Sequence, residues 1–220
     1  MRSIMRWAVR VACIVALLFG APAFAGPLGQ KAAVAENKAE VLEEQAAEQG
    51  ASGTAAQVRP ITRSEARAVD PAGEAPLDDA ITCLARSVYW EAKGASRGDM
   101  EAVANVVMNR VASKDFPDTV CAVVKQGSES RSCQFSWWCD GRPDQVVEEK
   151  RYDLARDIAR KALNRQLPDR TDGALYFHDR HVRPSWARTY LRTARTEHFL
   201  FYKPRLGGEP IARSGAGRRP

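Results

Sequence analysis

Two consecutive stretches of helical periodicity, separated by a glycine, constrain most of what this chain can fold into. Ile81, Leu84, Ala85, Val88 and Tyr89 recur at i, i+3, i+4, i+7 and i+8. Met100, Val103, Ala104, Val107 and Val111 carry the same spacing a few residues later. Asp78 or Asp79 is placed to cap the first helix, and Gly94 to end it. The second helix is predicted from Ser96 or Gly98 to about Ser113, and a short third one, 120–126, opens behind Pro117 and Thr119. Residues 127–145 read as loop, with 134–138 extended. A longer amphipathic helix over 148–166 buries Tyr152, Ala155, Ile158, Ala159, Ala162 and Leu163. Short β-like runs follow at 174–178 and 199–202. The predicted fold class is α+β, mainly helical: one domain over 77–204 with a small β-like C-terminal part.

The segments before this domain differ in kind. Arg2, Arg6 and Arg10 precede an apolar run, Val11-Ala-Cys-Ile-Val-Ala-Leu-Leu-Phe19, which Gly20 and Pro22 break before the small residues of Ala23-Phe24-Ala25. That order is the order of a secretory signal peptide, assigned to 1–25. The run falls short of the roughly 20 apolar residues that span a bilayer, so no stable membrane span is expected after cleavage; an uncleaved anchor is the rival reading. Residues 26–76 lack cysteine and aromatic residues, are rich in Ala, Glu, Gln and Gly, and hold more acids than bases. They are read as a flexible tether, with at most a transient helix over 31–48. Residues 205–220 are read as a disordered basic tail. Much of the formal charge of +6 sits in this tail and in the first ten residues, which excludes a strongly basic nucleic-acid binder.

Export sets how the cysteines are read. Once Cys13 leaves with the signal, Cys83, Cys121, Cys133 and Cys139 remain. An even set in an oxidising compartment suggests two disulfides, with three connectivities possible. The preferred pairing is Cys121–Cys133 with Cys83–Cys139, the first closing a short Gly/Ser-containing loop. The spacings are not the tight pairs of a zinc ribbon.

Glu91 is the position that points to chemistry. It continues the buried stripe of its helix at i+3 from Val88 and i+7 from Leu84, beside Tyr89 and Trp90. It also falls in the last turn, where the helix dipole disfavours a carboxylate. Burial acts in the same direction, so both effects favour the neutral acid. A carboxyl group held protonated beside aromatic side chains suits a general acid for glycoside cleavage. Pairing with Arg86 or Arg110 is the alternative. Gln134, Phe135, Ser136, Trp137 and Trp138 suit a sugar-binding wall, since pyranose faces stack on aromatic rings. Gln134, Ser136 and Trp138 are its substrate-binding candidates, with Trp137 buried. Tyr176, His178 and the 183–186 loop are candidates to close the cleft. Asn109 and Arg110 read as structural, Arg110 satisfying carbonyls or a buried acid. His178, Asp179, His181 and His198 are a possible metal set, but the stretch reads as strand and loop, and neither a metal nor a cofactor is expected.

Several ordered runs resemble the SleB/CwlJ-like cell wall hydrolases. They are Cys83-Leu-Ala-Arg-Ser-Val-Tyr-Trp-Glu91-Ala-Lys-Gly94, Glu101-Ala-Val-Ala-Asn-Val-Val-Met-Asn109-Arg110-Val111, Phe116-Pro-Asp-Thr-Val-Cys121-Ala-Val-Val124, Cys133-Gln-Phe-Ser-Trp137 and Asp140-Gly141. Phe177-His178, Arg183-Pro-Ser-Trp186 and His198 complete the likeness, which covers roughly residues 80–202. The resemblance implies a lysozyme-like or lytic-transglycosylase-like fold, a peptidoglycan glycosidase activity, and Glu91 as catalytic acid. Departures are Ala95, where many relatives carry a second Glu, Met100 in place of a common Gln, and a stretched His198-Phe-Leu-Phe-Tyr202.

The residues narrow the mechanism that the resemblance implies. Two-carboxylate hydrolysis needs a partner roughly 5 Å away for retention and farther for inversion. Asp99, Glu101 and Asp140 are the candidates, Glu101 reading as a solvated helix-face residue and Asp140 as a turn residue. A lytic transglycosylase needs one acid, so cleavage of the MurNAc–GlcNAc linkage by Glu91 alone is the favoured expectation. A metal-dependent amidase or peptidase, a Cys–His peptidase and a non-catalytic peptidoglycan-binding module are the alternatives. The expected partner is the peptidoglycan glycan strand, bound by a monomer in the periplasm, with the extracellular wall as the other location.

Overall fold

The computed structural model describes residues 26–49, 58–130 and 133–205. Residues 1–25, read as a signal peptide, and 206–220, read as part of a disordered tail, lie outside the described residues. Among the described residues, six α-helices precede a small sheet: α1 Pro27–Gln49, α2 Arg63–Ala68, α3 Ala80–Glu91, α4 Arg97–Val111, α5 Val120–Lys125 and α6 Glu149–Leu163. The strands are β1 Tyr176–Asp179, β2 Leu191–Arg195 and β3 Phe199–Lys203. β3 lies between the other two and is antiparallel to both, pairing Tyr202 with Tyr176 and Leu200 with His178 and Arg195. The mainly helical expectation with a small C-terminal sheet holds, with β2 as an additional strand. Its charged, largely exposed sequence carries no apolar alternation.

α3 is the centre of the core. Every residue from Ala80 to Tyr89 is buried, so the helix meets other elements on all sides. Asp79 caps it by accepting from the Thr82 amide at 2.9 Å. Gly94, at φ 82°, turns the chain where a side chain would be strained. α4 begins with a reciprocal capping box between Ser96 and Asp99. α6 has no side-chain cap of its own. Instead the Tyr89 hydroxyl accepts from the amides of Val147 and Glu148, both at 3.2 Å, and so fixes where the helix starts.

The segment 26–76 differs from the tether expected of it. In α1, Ala35, Ala39, Leu42 and Ala46 recur at i, i+4, i+7 and i+11 and are all buried against the core. Each alanine buries little apolar area, so composition alone resembles disorder; their small size is what allows close helix approach. Lys38 pairs with Glu65 at 2.9 Å. Glu43 accepts from the Val120 amide at 2.8 Å, meeting the start of α5. α2 carries its own Thr62–Glu65 capping box. Asp70 is buried and accepts from the Tyr152 hydroxyl at 2.6 Å, Arg86 at 3.3 Å and the amides of Glu74 and Ala75 at 2.8 Å. Gly73 allows the 140s loop to pass: a Cβ there would lie 2.3 Å from that of Val146. Folded structure therefore extends well N-terminal of residue 77.

The disulfides are Cys83–Cys121 and Cys133–Cys139, in place of the expected pairing. Cys83 lies in the first turn of α3 and Cys121 in that of α5, with Cα atoms 5.3 Å apart because the two helices pack together. Cys133 and Cys139 close a local loop around a 3₁₀ turn, Ser136–Trp138, which replaces the expected extended run. No helix among the described residues is long and apolar enough to cross a membrane.

Candidate active site

α3 ends at Glu91, where the rigid core helix reaches the surface and delivers its carboxyl to the floor of a cleft. The cleft, about 490 Å³, is also lined by Lys93, Arg110, Gln134, Tyr176, His178, Trp186 and His198. A second hollow of about 530 Å³ shares Glu91 and is walled by Trp90, Ser136, Trp137, Asp140, Arg142 and Asp144. Glu91 thus sits between two hollows and lines both. The loop wall of the second hollow is tied to α3 by Trp90 Nε1, which donates to the Asp144 carbonyl at 3.3 Å, and by Arg86, which donates to the same carbonyl.

Burial pushes the Glu91 carboxyl up to about 7, against two opposing influences: the Arg110 guanidinium and the Ser136 amide, which donates to it. The group is therefore an acid at neutral pH that can also persist as a carboxylate. Arg110, on α4, is buried. Its Nε donates to the Leu175 carbonyl at 2.8 Å, and its guanidinium carbon lies 5.1 to 5.5 Å from the rings of Phe116, Phe135 and Tyr176. Loss of hydration lowers its pKa to about 10, partly offset by Tyr176 and Glu91, so it keeps its charge. Arg110 was expected to satisfy carbonyls or a buried acid, and it does both: it bonds the Leu175 carbonyl and is the nearby positive charge felt by Glu91.

The other expected site residues divide. Gln134, Tyr176 and His178 line the first hollow and Ser136 the second. Trp138 lines neither; it packs against the core with Lys125 5.6 Å from its ring. Trp137, expected to be buried, is buried and still forms part of the second hollow's wall. His178 donates from Nδ1 to the Asp179 carbonyl at 2.8 Å, which leaves Nε2 to accept from the Tyr202 hydroxyl at 3.1 Å. Its ring stacks on Tyr202 and meets Trp186 edge-on, which fixes it in the wall.

The candidate second carboxylates have other partners. Glu101 is not a solvated helix-face residue: it is buried between Arg97 and Arg170, each 2.8 Å away. Asp99 is fully buried and bonded to His198. Asp140 lines the second hollow and lies 4.0 Å from Arg142. The histidines weighed as a possible metal set have other partners among the described residues: His178 is held by Tyr202 and His181 by Asp179. Asp99, Glu197 and His198 bring ligand-type atoms within 4.8 Å of one another, but hydrogen bonds already occupy both oxygens of Asp99. Cys83 is disulfide-bonded and is no nucleophile.

The model of the family described as Cell Wall Hydrolase matches residues 94–202, a span that begins three residues after Glu91. A spore cortex-lytic enzyme of Halalkalibacterium halodurans is 32% identical over 125 residues, covering 56% of this chain and 34% of that protein. The chain thus spans about a third of the length of that curated relative. The crystal structure of the catalytic domain of the Bacillus cereus SleB protein is similar at 27% identity and a TM-score of 0.46, over 56% of this chain and 89% of that one.

Proposed function

The chain belongs to the SleB/CwlJ-like cell wall hydrolase family, and from that premise we propose that it is a peptidoglycan glycosidase cutting the MurNAc–GlcNAc linkage as a lytic transglycosylase. The observation that carries the reading is Glu91, an acid titrating at about 7 between two hollows. Protonated Glu91 gives its proton to the glycosidic oxygen as that bond breaks. The resulting carboxylate then accepts the proton of the muramic C6 hydroxyl, whose oxygen closes onto C1. The product is a 1,6-anhydro end, and Glu91 is protonated again. Arg110 and the Ser136 amide stabilise the carboxylate between the two transfers. Gln134, Ser136, Tyr176 and His178 bind the strand on either side. Activity on the wall implies an exported protein, with the periplasm as its proposed location.

Hydrolysis is the second reading, favoured by one observation: Asp140 and Asp144 line the same hollow as Glu91, and burial together with Asp140 raises the Asp144 carboxyl. Mass spectrometry of muropeptides released by wild type and Glu91→Gln separates the readings. Anhydro-muramic ends, lighter by one water, support transglycosylation, and reducing ends support hydrolysis. Full activity in Glu91→Gln refutes both.

A further inference from the structure

A second device in the cleft has no part in the proton transfers above. His198 sits in the turn between β2 and β3 and lines the same cleft as Glu91. Its Nδ1 lies 2.8 Å from Oδ2 of Asp99, and its backbone amide donates to Oδ1 of the same carboxylate at 3.2 Å. Asp99 is wholly buried while 38% of the His198 side chain remains exposed. Asp99 is itself fixed, because Oδ2 also accepts from the Ser96 amide at 3.0 Å and the Ser96 hydroxyl at 2.7 Å. These bonds, with one from Thr196, hold its carboxyl down at about 2. A permanent carboxylate on Nδ1 requires the proton there, so the ring's tautomer and orientation are set. The Arg180 amide donates to the His198 carbonyl at 2.8 Å and holds the turn from the other side.

We propose that His198, oriented by Asp99, binds a sugar hydroxyl of the glycan strand through Nε2. This rests on the glycan-cleaving reading of the site and adds a recognition residue to it. With Nδ1 engaged, Nε2 is the ring's remaining polar atom, and among the described residues no partner occupies it. It accepts when the ring is neutral and donates when the ring is charged. A hydroxyl matches both states, since it can donate or accept, whereas an amide N–H or a carboxylate matches only one. The bland role, anchoring the β2–β3 turn to α4, is met by the backbone amide of His198 and does not need an imidazole.

The test uses full-length protein carrying Glu91→Gln, so that no cleavage occurs, and tetra-N-acetylchitotetraose as the probe in calorimetry. Adding His198→Ala should weaken binding about fivefold to tenfold, the worth of one hydrogen bond, with the melting temperature unchanged. His198→Gln, which can also donate or accept, should recover most of the loss. Unchanged affinity in the alanine variant overturns the proposal. So does a loss that tracks a fall in melting temperature and is not recovered by glutamine, because the residue is then a turn anchor. If the Glu91→Gln parent binds no oligosaccharide, the glycan-strand reading itself fails, and this inference with it.

Discussion

Replacing Glu91 by Gln should stabilise the protein at neutral and alkaline pH while abolishing lysis. Burial holds this carboxyl at about 7 in the folded state, where an ordinary glutamate titrates at 4.5. At about 1.36 kcal/mol per pH unit, that gap corresponds to about 3 kcal/mol. The folded-state value lies above the unfolded one, so the folded protein holds this proton more tightly. The favourable contribution is complete below pH 4.5 and is lost as pH rises to about 7. A glutamine does not titrate and keeps its stability throughout. Because the side chain is half-buried, solvent trims the figure, and about 2 kcal/mol is the expected growth in the difference. Urea unfolding of both proteins at pH 4 and pH 8, followed by circular dichroism, measures it. Any offset at pH 4 reflects amide against carboxylic acid; the extra gap at pH 8 is the signal. Parallel behaviour at both values would refute the claim that burial keeps Glu91 protonated.

Three further outcomes follow from the same structure. Arg110→Met removes the positive charge that pulls Glu91 down, so the alkaline limb of kcat/KM should move to higher pH, while Arg110→Lys leaves it closer to wild type; superimposable profiles would contradict the electrostatic link. Breaking Cys83–Cys121 with paired alanines should cost about 4 kcal/mol and breaking Cys133–Cys139 about 2 kcal/mol, because the first closes the longer loop; denaturant midpoints of the two double variants check the order. Leu42→Ala should lower stability by about 2 to 3 kcal/mol, whereas a change within a free tether would leave the unfolding midpoint in place.

The sequence is most legible where one element decides its own structure. Asp79, Ser96 and Thr119 are helix caps that can be read directly, and the apolar stripes of α3, α4 and α6 correctly anticipate buried faces. Glu91 was legible for the same reason, since a stripe that continues into a carboxylate already implies burial. What stayed hidden depends on approach between distant segments. The alanines of α1 become core only when α3, α4 and α6 lie against them, and nothing local announces it. The disulfide pairing follows from α3 packing on α5 rather than from loop length. Asp99 and His198 are 99 residues apart in sequence, so the pair could not be read from spacing. Glu101 looked solvated because only one of its partners, Arg97, is a neighbour on its own helix, while the other, Arg170, arrives from 69 residues away.

One helix decides how the far side of the cleft is held. From α4, Asp99 reaches the His198 amide, Glu101 the Arg170 side chain, Asn105 the Arg170 amide at 3.0 Å, Asn109 the Ala174 carbonyl at 3.1 Å and Arg110 the Leu175 carbonyl. These polar ties run from the β-wall to one helix, while Phe199 and Phe201 pack into the core that also carries the helix of Glu91. A small wall whose polar ties run to one helix is a natural site of sub-global opening. Amide exchange in β1–β3 should then outrun that of α3, and mild urea should silence the enzyme before its helices are lost.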